Sequence, residues 1–559
     1  MFEKPIKSLF TVMIAAMMVF AFTGCGVRPI DPTAESTDNG PTSSQVVRIP
    51  DAQEKASTIE NGVTSDVLPI NDTDLQSIFD VYRLPALERM DAADADQLVN
   101  GLQSIKRVKT VGYDLDRLAY PEYWFKATYA DIVEKTSFET PESTTKFSGT
   151  KASELNGVLS EGAVVSVSSQ TIEIDETIKI PSNAKLYGND CKLVSAGSNK
   201  AIEIKDVHDV VVDGFIIEDA GFEYGIFIDN ASVFVISSNT ISNISDRAIA
   251  ILHECYDFKV IGNSICDNAR GGIFCCGNTH DGIFEQNEIL RNQGSANSTP
   301  GLFMGHFELV EEGTAKTEFL EPDLDTVSEG PHNIIIYRNT ISENLSQGIY
   351  SHMGWSNFIV SNTVSYNHKE GTCLDYGTSS TYVSNNSYVG NGFRIGVDDG
   401  EPEFNKLPGI SLDNACYNIL SGNVFARQGG TGIKAVRSSC RNVIIDNTVQ
   451  DNNQGVSENG HFFGVELASD LSKDYAEAKG MDFTPCYENI VARNTISGAH
   501  YSGVYLGEEH YSNDVFHNVI MGATDFSIES HSTKFNSIVD NIIDAPEFYD
   551  GVILPTPTG

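Results

Sequence analysis

The chain carries a series of titratable residues fit for acid–base chemistry: His306, His352, Asp375 with Tyr376, Asp413 and Arg437. Each follows a Gly-led pair or triplet at an offset of four or five residues, from Gly301, Gly348, Gly371, Gly409 and Gly432. A constant offset implies a constant place in a repeated unit, so the side chains would form a column. Histidine or tyrosine can pass a proton, paired carboxylates can cleave a glycosidic bond, and arginine can neutralise a substrate carboxylate. Asp398, Asp399 and Glu401 add hard oxygen donors that would suit Ca²⁺ as a cofactor. Two residues after the glycine stand Phe274, Phe303 and Tyr350, expected to face outward as an exposed sugar-binding platform beside Asp413.

Positioning such a column requires a regular frame, and the sequence has one. An Asn precedes an apolar strand residue at Asn239, Asn263, Asn287, Asn339, Asn362, Asn386, Asn423, Asn447, Asn494, Asn518 and Asn541. Most steps are 23 or 24 residues; three are 52, 37 and 47. A Gly or Ala follows nine residues after many of these Asn, as at Ala248, Gly272, Gly348, Gly371, Gly432 and Gly503. A unit this short cannot bury its apolar face alone, but stacking at ~4.8 Å builds continuous parallel sheets around one core. Stacked Asn can hydrogen-bond along the axis. The three long steps place insertions near 305–332, 396–408 and 466–488, expected to wall a groove.

A short helix around Leu155 and Leu159, then Gly162-Ala163-Val164-Val165 and the repeated Gly-Ile and Asn-x-Ile coils, resemble the pectate-lyase-like right-handed parallel β-helix superfamily over about 150–550. The resemblance implies an all-β, single-stranded solenoid of about 12–13 coils. It leaves activity open, because the fold hosts lyases, hydrolases, epimerases and adhesins. A polysaccharide lyase acting on a uronate polymer ranks first, with His352 or His306 as base, Tyr376 as acid and Arg437 or Ca²⁺ as neutraliser. A C5-epimerase would use the same parts, but an Asp-Pro-His-type signature is missing. A glycoside hydrolase ranks second, pairing Asp375 with Asp398, Asp399 or Asp413. Of the polygalacturonase motifs only Asp398-Asp399 is present, and Gly305-His306-Phe307 departs from Gly-His-Gly. A non-catalytic glycan-binding surface protein ranks third.

With 37 Lys+Arg against 77 Asp+Glu, a net charge of −40 excludes a nucleic-acid binder and disfavours broad contact with polyanions. Residues 1–25 read as an export signal ending in Phe22-Thr23-Gly24-Cys25, which resembles a bacterial lipobox. Lipidation at Cys25 would anchor the protein to a membrane of the bacterial cell envelope. Residues 26–70 read as a disordered tether, and 71–145 as a small helical preface. Nine further cysteines without a CxxC pattern are expected to pack as small apolar residues, with neither a disulfide framework nor structural zinc.

Overall fold

The computed structural model describes residues 121–554 except 139–142, 294–298, 306–329, 376, 395–402, 405–406, 455–460, 470–482, 533–534 and 550. Cys25, the tether, His306, Tyr376, Asp398, Asp399 and Glu401 lie outside the described residues, as does most of each expected insertion.

The chain coils into a parallel β-helix, as its repeat predicts. Among the described residues one sheet has 15 strands and carries the Gly-Ile segments, a second has 27 and holds two strand columns separated by a bend, and Phe393–Arg394 pairs antiparallel with Glu403–Phe404 in a third. Neighbouring strands pair in parallel with constant register, as in Ile349↔Thr372 and Thr372↔Ile410. Only the last strand of the Gly-Ile sheet, Val552–Leu554, folds back antiparallel. The first rung forms before residue 150, where Thr145–Phe147 pairs with Val164–Val167. The helix Ala152–Asn156 closes the core by burying Ala152 and Leu155.

The repeating Asn sets the bend. Each is preceded by a residue in the left-handed region, including Ser238 (φ 54°), Gln286 (φ 53°), Asp446 (φ 56°) and His517 (φ 54°). That conformation turns the chain and aims the next side chain inward, where each Asn Nδ2 donates to the Oδ1 one coil on at 2.9–3.0 Å. The ladder satisfies polar groups that would otherwise be buried unpaired. Two further ladders run in parallel. One passes through Asn268, Asn292, Asn344, Asn367 and Asn391 to Gln428. The other links Asn418, Asn442, Asn489 and Asn513.

The glycines before the Gly-Ile strands are required by close approach. A Cβ on Gly371 would meet the Gly409 carbonyl oxygen at 2.7 Å and the Tyr388 ring at 2.7 Å. The next residue points inward: Ile226, Ile249, Ile273, Leu302, Ile349, Ile410, Ile433 and Val504 all belong to the core.

The helix Pro121–Lys135 lies along the outward face of the larger sheet. Ile132 packs with Ile283, Ile335, Phe358 and Val360, flanked by Trp124, Phe125, Tyr129 and Val133. Cys191, Cys255, Cys275 and Cys486 are core residues as expected. Cys416 and Cys440 are buried too, beside Tyr487, but against expectation they form a disulfide with Cα atoms 4.6 Å apart. Their separation of 24 residues is one coil, so register alone superimposes them.

Candidate active site

The outward face of the Gly-Ile sheet changes character along its length. Its early rungs carry Ala250, Leu252, Phe274, Cys276 and Phe303, which cluster with Tyr350 and Cys373. The expected exposed platform is not open: Phe274 is 4% exposed, Phe303 1% and Tyr350 7%. The rings spend their faces on each other, with Phe274 stacked on Phe303 at 4.8 Å and Arg247 over Phe274 at 4.2 Å. An outward direction on a strand does not by itself leave a side chain exposed.

At Tyr350 the face becomes polar. The Tyr350 hydroxyl donates to Asp375 Oδ2 at 2.6 Å, bridging two rungs. His352 shares the Tyr350 strand and lies in register with Gly305 on one side and Asp375 on the other. Gly305 keeps this junction open, since a Cβ there would meet the Phe303 ring at 2.3 Å and His352 Cβ at 3.1 Å. Asp413 follows in register with Asp375, and Arg437 donates to Asp413 Oδ2 at 2.8 Å. The sheet therefore brings Tyr350, His352, Asp375, Asp413 and Arg437 onto successive rungs. His352 and Asp375 are buried rather than solvated turn residues, at 4% and 7% exposure. Replacing them perturbs packing as well as chemistry.

Glu370 belongs to the same group, although sequence spacing did not single it out. It precedes Gly371, outside the four-to-five offset. Its Oε2 is buried without a hydrogen-bond partner. Burial pushes its carboxyl above the usual range, against a backbone hydrogen bond, the charge of Lys369, a hydrogen bond with Gln347 and the charge of Lys434. Burial likewise pushes the Cys373 thiol far up, reinforced by the charges of Asp375, Glu370 and Asp413. The charges of three carboxyl groups thus act on one thiol.

A second polar group lies farther along the same face. Glu466, Tyr505 and Glu529 occupy consecutive rungs in register. Glu466 accepts from Thr431 at 2.9 Å and pairs with Lys434 at 3.2 Å. Glu529 accepts from Ser502 at 2.6 Å and pairs with His531 at 2.8 Å. Between them Tyr505 stacks on Phe463 at 4.3 Å, and burial with the charges of Glu529 and Glu466 pushes its hydroxyl up to about 12.

Residues 146–306 and 401–549 match the family model described as a right handed beta helix region. The chain belongs to that right-handed β-helix family. No curated protein matches its sequence significantly. Among solved structures, the β-helix is similar to the A-module of mannuronan C-5 epimerase AlgE6 from Azotobacter vinelandii. That match has 10% identity, 71% of this chain, 100% of that chain and a TM-score of 0.44. It is also similar to the catalytic unit of the GH87 alpha-1,3-glucanase from Streptomyces thermodiastaticus, at 13% identity, 75% and 72% coverage and a TM-score of 0.46.

Among the described residues, no group of three or more His, Cys, Asp or Glu side chains is arranged to hold a metal ion. The Ca²⁺ donors expected from sequence fall outside those residues.

Proposed function

We propose that this β-helix is a polysaccharide-processing enzyme that hydrolyses a glycosidic bond at the Glu370–Asp375–Asp413 group. The observation that supports it is that Asp375 and Asp413 stand in register on adjacent rungs while Glu370 acts with them on the Cys373 thiol. Hydrolysis needs one carboxyl that keeps its proton and one that stays ionised. Glu370, pushed up by burial, suits the proton donor. Asp375 and Asp413 are held by Tyr350 and Arg437 and suit the base or nucleophile. Adjacent rungs set the backbones of Asp375 and Asp413 ~5 Å apart, so the two carboxylates stand side by side.

A lyase acting on a uronate polymer is the second reading, favoured by His352 lying one rung from Asp375 and beside Tyr350. Here His352 would take the proton next to the carboxylate, and Arg437 would neutralise that carboxylate. The acidic floor opposes this reading, because Arg437 and Lys434 are already paired with Asp413 and Glu466.

Incubation with a panel of neutral and acidic polysaccharides separates the readings. New reducing ends without ultraviolet absorbance are expected. Absorbance of an unsaturated product would establish the lyase instead. Retention without any product would leave a glycan-binding protein and overturn both.

A further inference from the structure

The helix Pro121–Lys135 covers only part of the apolar face on which it lies. Along the larger sheet, outward-facing apolar residues continue past Phe358 through Tyr382, Ile419, Val443, Ile490 and Phe516. Ile419, Val443, Ile445, Ile490, Ala492 and Phe516 form one cluster. Tyr382 packs against both this cluster and the one beneath the helix, so the two are continuous. Ile419 and Val443 are each 1% exposed. An outward side chain in a sheet is shielded by its neighbours on either side and left open above. Tyr382 and Tyr417 pack against this cluster and cover part of it, and the rest of the burial points to a further layer.

The direction of the helix indicates where that layer comes from. Its last residue, Lys135, pairs with Asp257 at 2.9 Å, and Phe125 near its start sits 5.9 Å from Phe358. The helix therefore runs from later coils toward earlier ones. Its first turn therefore lies on the side of Tyr382, Ile419 and Val443. In the chain that precedes Pro121, Leu75, Ile78, Phe79 and Tyr82 stand at i, i+3, i+4 and i+7, the spacing of an amphipathic helix. The rungs from Ile419 to Phe516 span ~15 Å, the length of a helix of ~10 residues.

We propose that residues 71–107 dock as a helical segment on the face formed by Ile419, Val443, Ile490 and Phe516, extending the layer begun by Pro121–Lys135. The preface is then a lateral brace of the solenoid, not a free spacer. Its face lies on a different sheet from the carboxyl group, so the inference is independent of the reaction.

Limited trypsin digestion of the full chain tests it at Arg83, Arg89, Lys106 and Arg107. Docking predicts slow cleavage in the wild type and cleavage at least about tenfold faster in Val443→Glu, because proteolysis follows the population of the opened state. Ile78→Asp should have the same effect from the other side of the contact, and it leaves every described strand unchanged. It therefore decides the matter if Val443→Glu fails to fold. Wild-type cleavage as fast as in Ile78→Asp would overturn the proposal. So would a dimer, seen by light scattering, that Val443→Glu dissociates while cleavage at Arg83 stays unchanged. That result would assign the face to a second copy.

Discussion

Two carboxylate groups share one face of the Gly-Ile sheet and differ in how their oxygens are occupied. In the later group every oxygen of Glu466 and Glu529 has a named partner: Thr431 and Lys434 for one, Ser502 and His531 for the other. In the central group Glu370 keeps a buried oxygen without a partner, and its carboxyl is pushed up by burial. The same kind of side chain thus meets opposite electrostatics at Glu370 and Glu529. Its partners hold the Glu529 carboxyl in the charged form. An under-partnered carboxyl can hold a proton at neutral pH, which is what an acid catalyst needs. Rung spacing adds a geometric difference. Asp375 and Asp413 are neighbours, whereas Tyr505 separates Glu466 from Glu529.

The largest expected effect tests this contrast directly. On a polysaccharide that the wild type cleaves, Asp375→Asn and Glu370→Gln should each lower kcat about 10²–10⁴-fold, the usual contribution of an acid–base group. Both replacements are close to isosteric, so the hydroxyl of Tyr350 keeps an acceptor at position 375. Glu466→Gln and Glu529→Gln should leave kcat within about threefold, as expected for groups that hold structure rather than protons. Equal losses in both groups would erase the distinction. A loss confined to Glu466 and Glu529 would move the active centre two or more coils along the sheet.

The frame was legible because its period is strict. Asn239 to Asn541 repeat at coil length, and the turn at each demands the same left-handed residue followed by the same inward amide. The same signal, shifted five residues, marks the second ladder at Asn268 and Asn292, which the first pattern overshadowed. The column of His352, Asp375 and Asp413 was legible for the same reason: constant offset from a glycine that packing requires. Burial was not. Phe274, Phe303 and Tyr350 point outward as predicted but are shielded, since exposure depends on neighbours far apart in sequence. Glu370 was missed because its importance lies in desolvation and not in spacing. The Cys416–Cys440 bridge follows from spacing rather than from cysteine number, since 24 residues is one coil.

The smallest expected effect sharpens the comparison most, because the two groups predict opposite signs. Burial raises the Glu370 carboxyl above the ordinary 4.5. A raised group contributes its stability below the unfolded pKa and loses it as pH climbs through the folded value. Burial raises Glu529 too, but hydrogen bonds from His531 and Ser502 and the charges of His531 and His461 outweigh it and lower the carboxyl below 4.5. A lowered group contributes above the unfolded pKa and loses that contribution as pH falls. Melting temperatures measured from about pH 3 to 5.5, below the histidine range, should therefore diverge. Relative to Glu370→Gln, the wild type should lose stability as pH rises across this window, since only the wild type must ionise a buried carboxyl. Relative to Glu529→Gln it should gain, since only the wild type acquires the charge that His531 and Ser502 are placed to bind. If both differences move in the same direction, Glu370 and Glu529 sit in equivalent environments. The central group would then have no electrostatic claim to the chemistry.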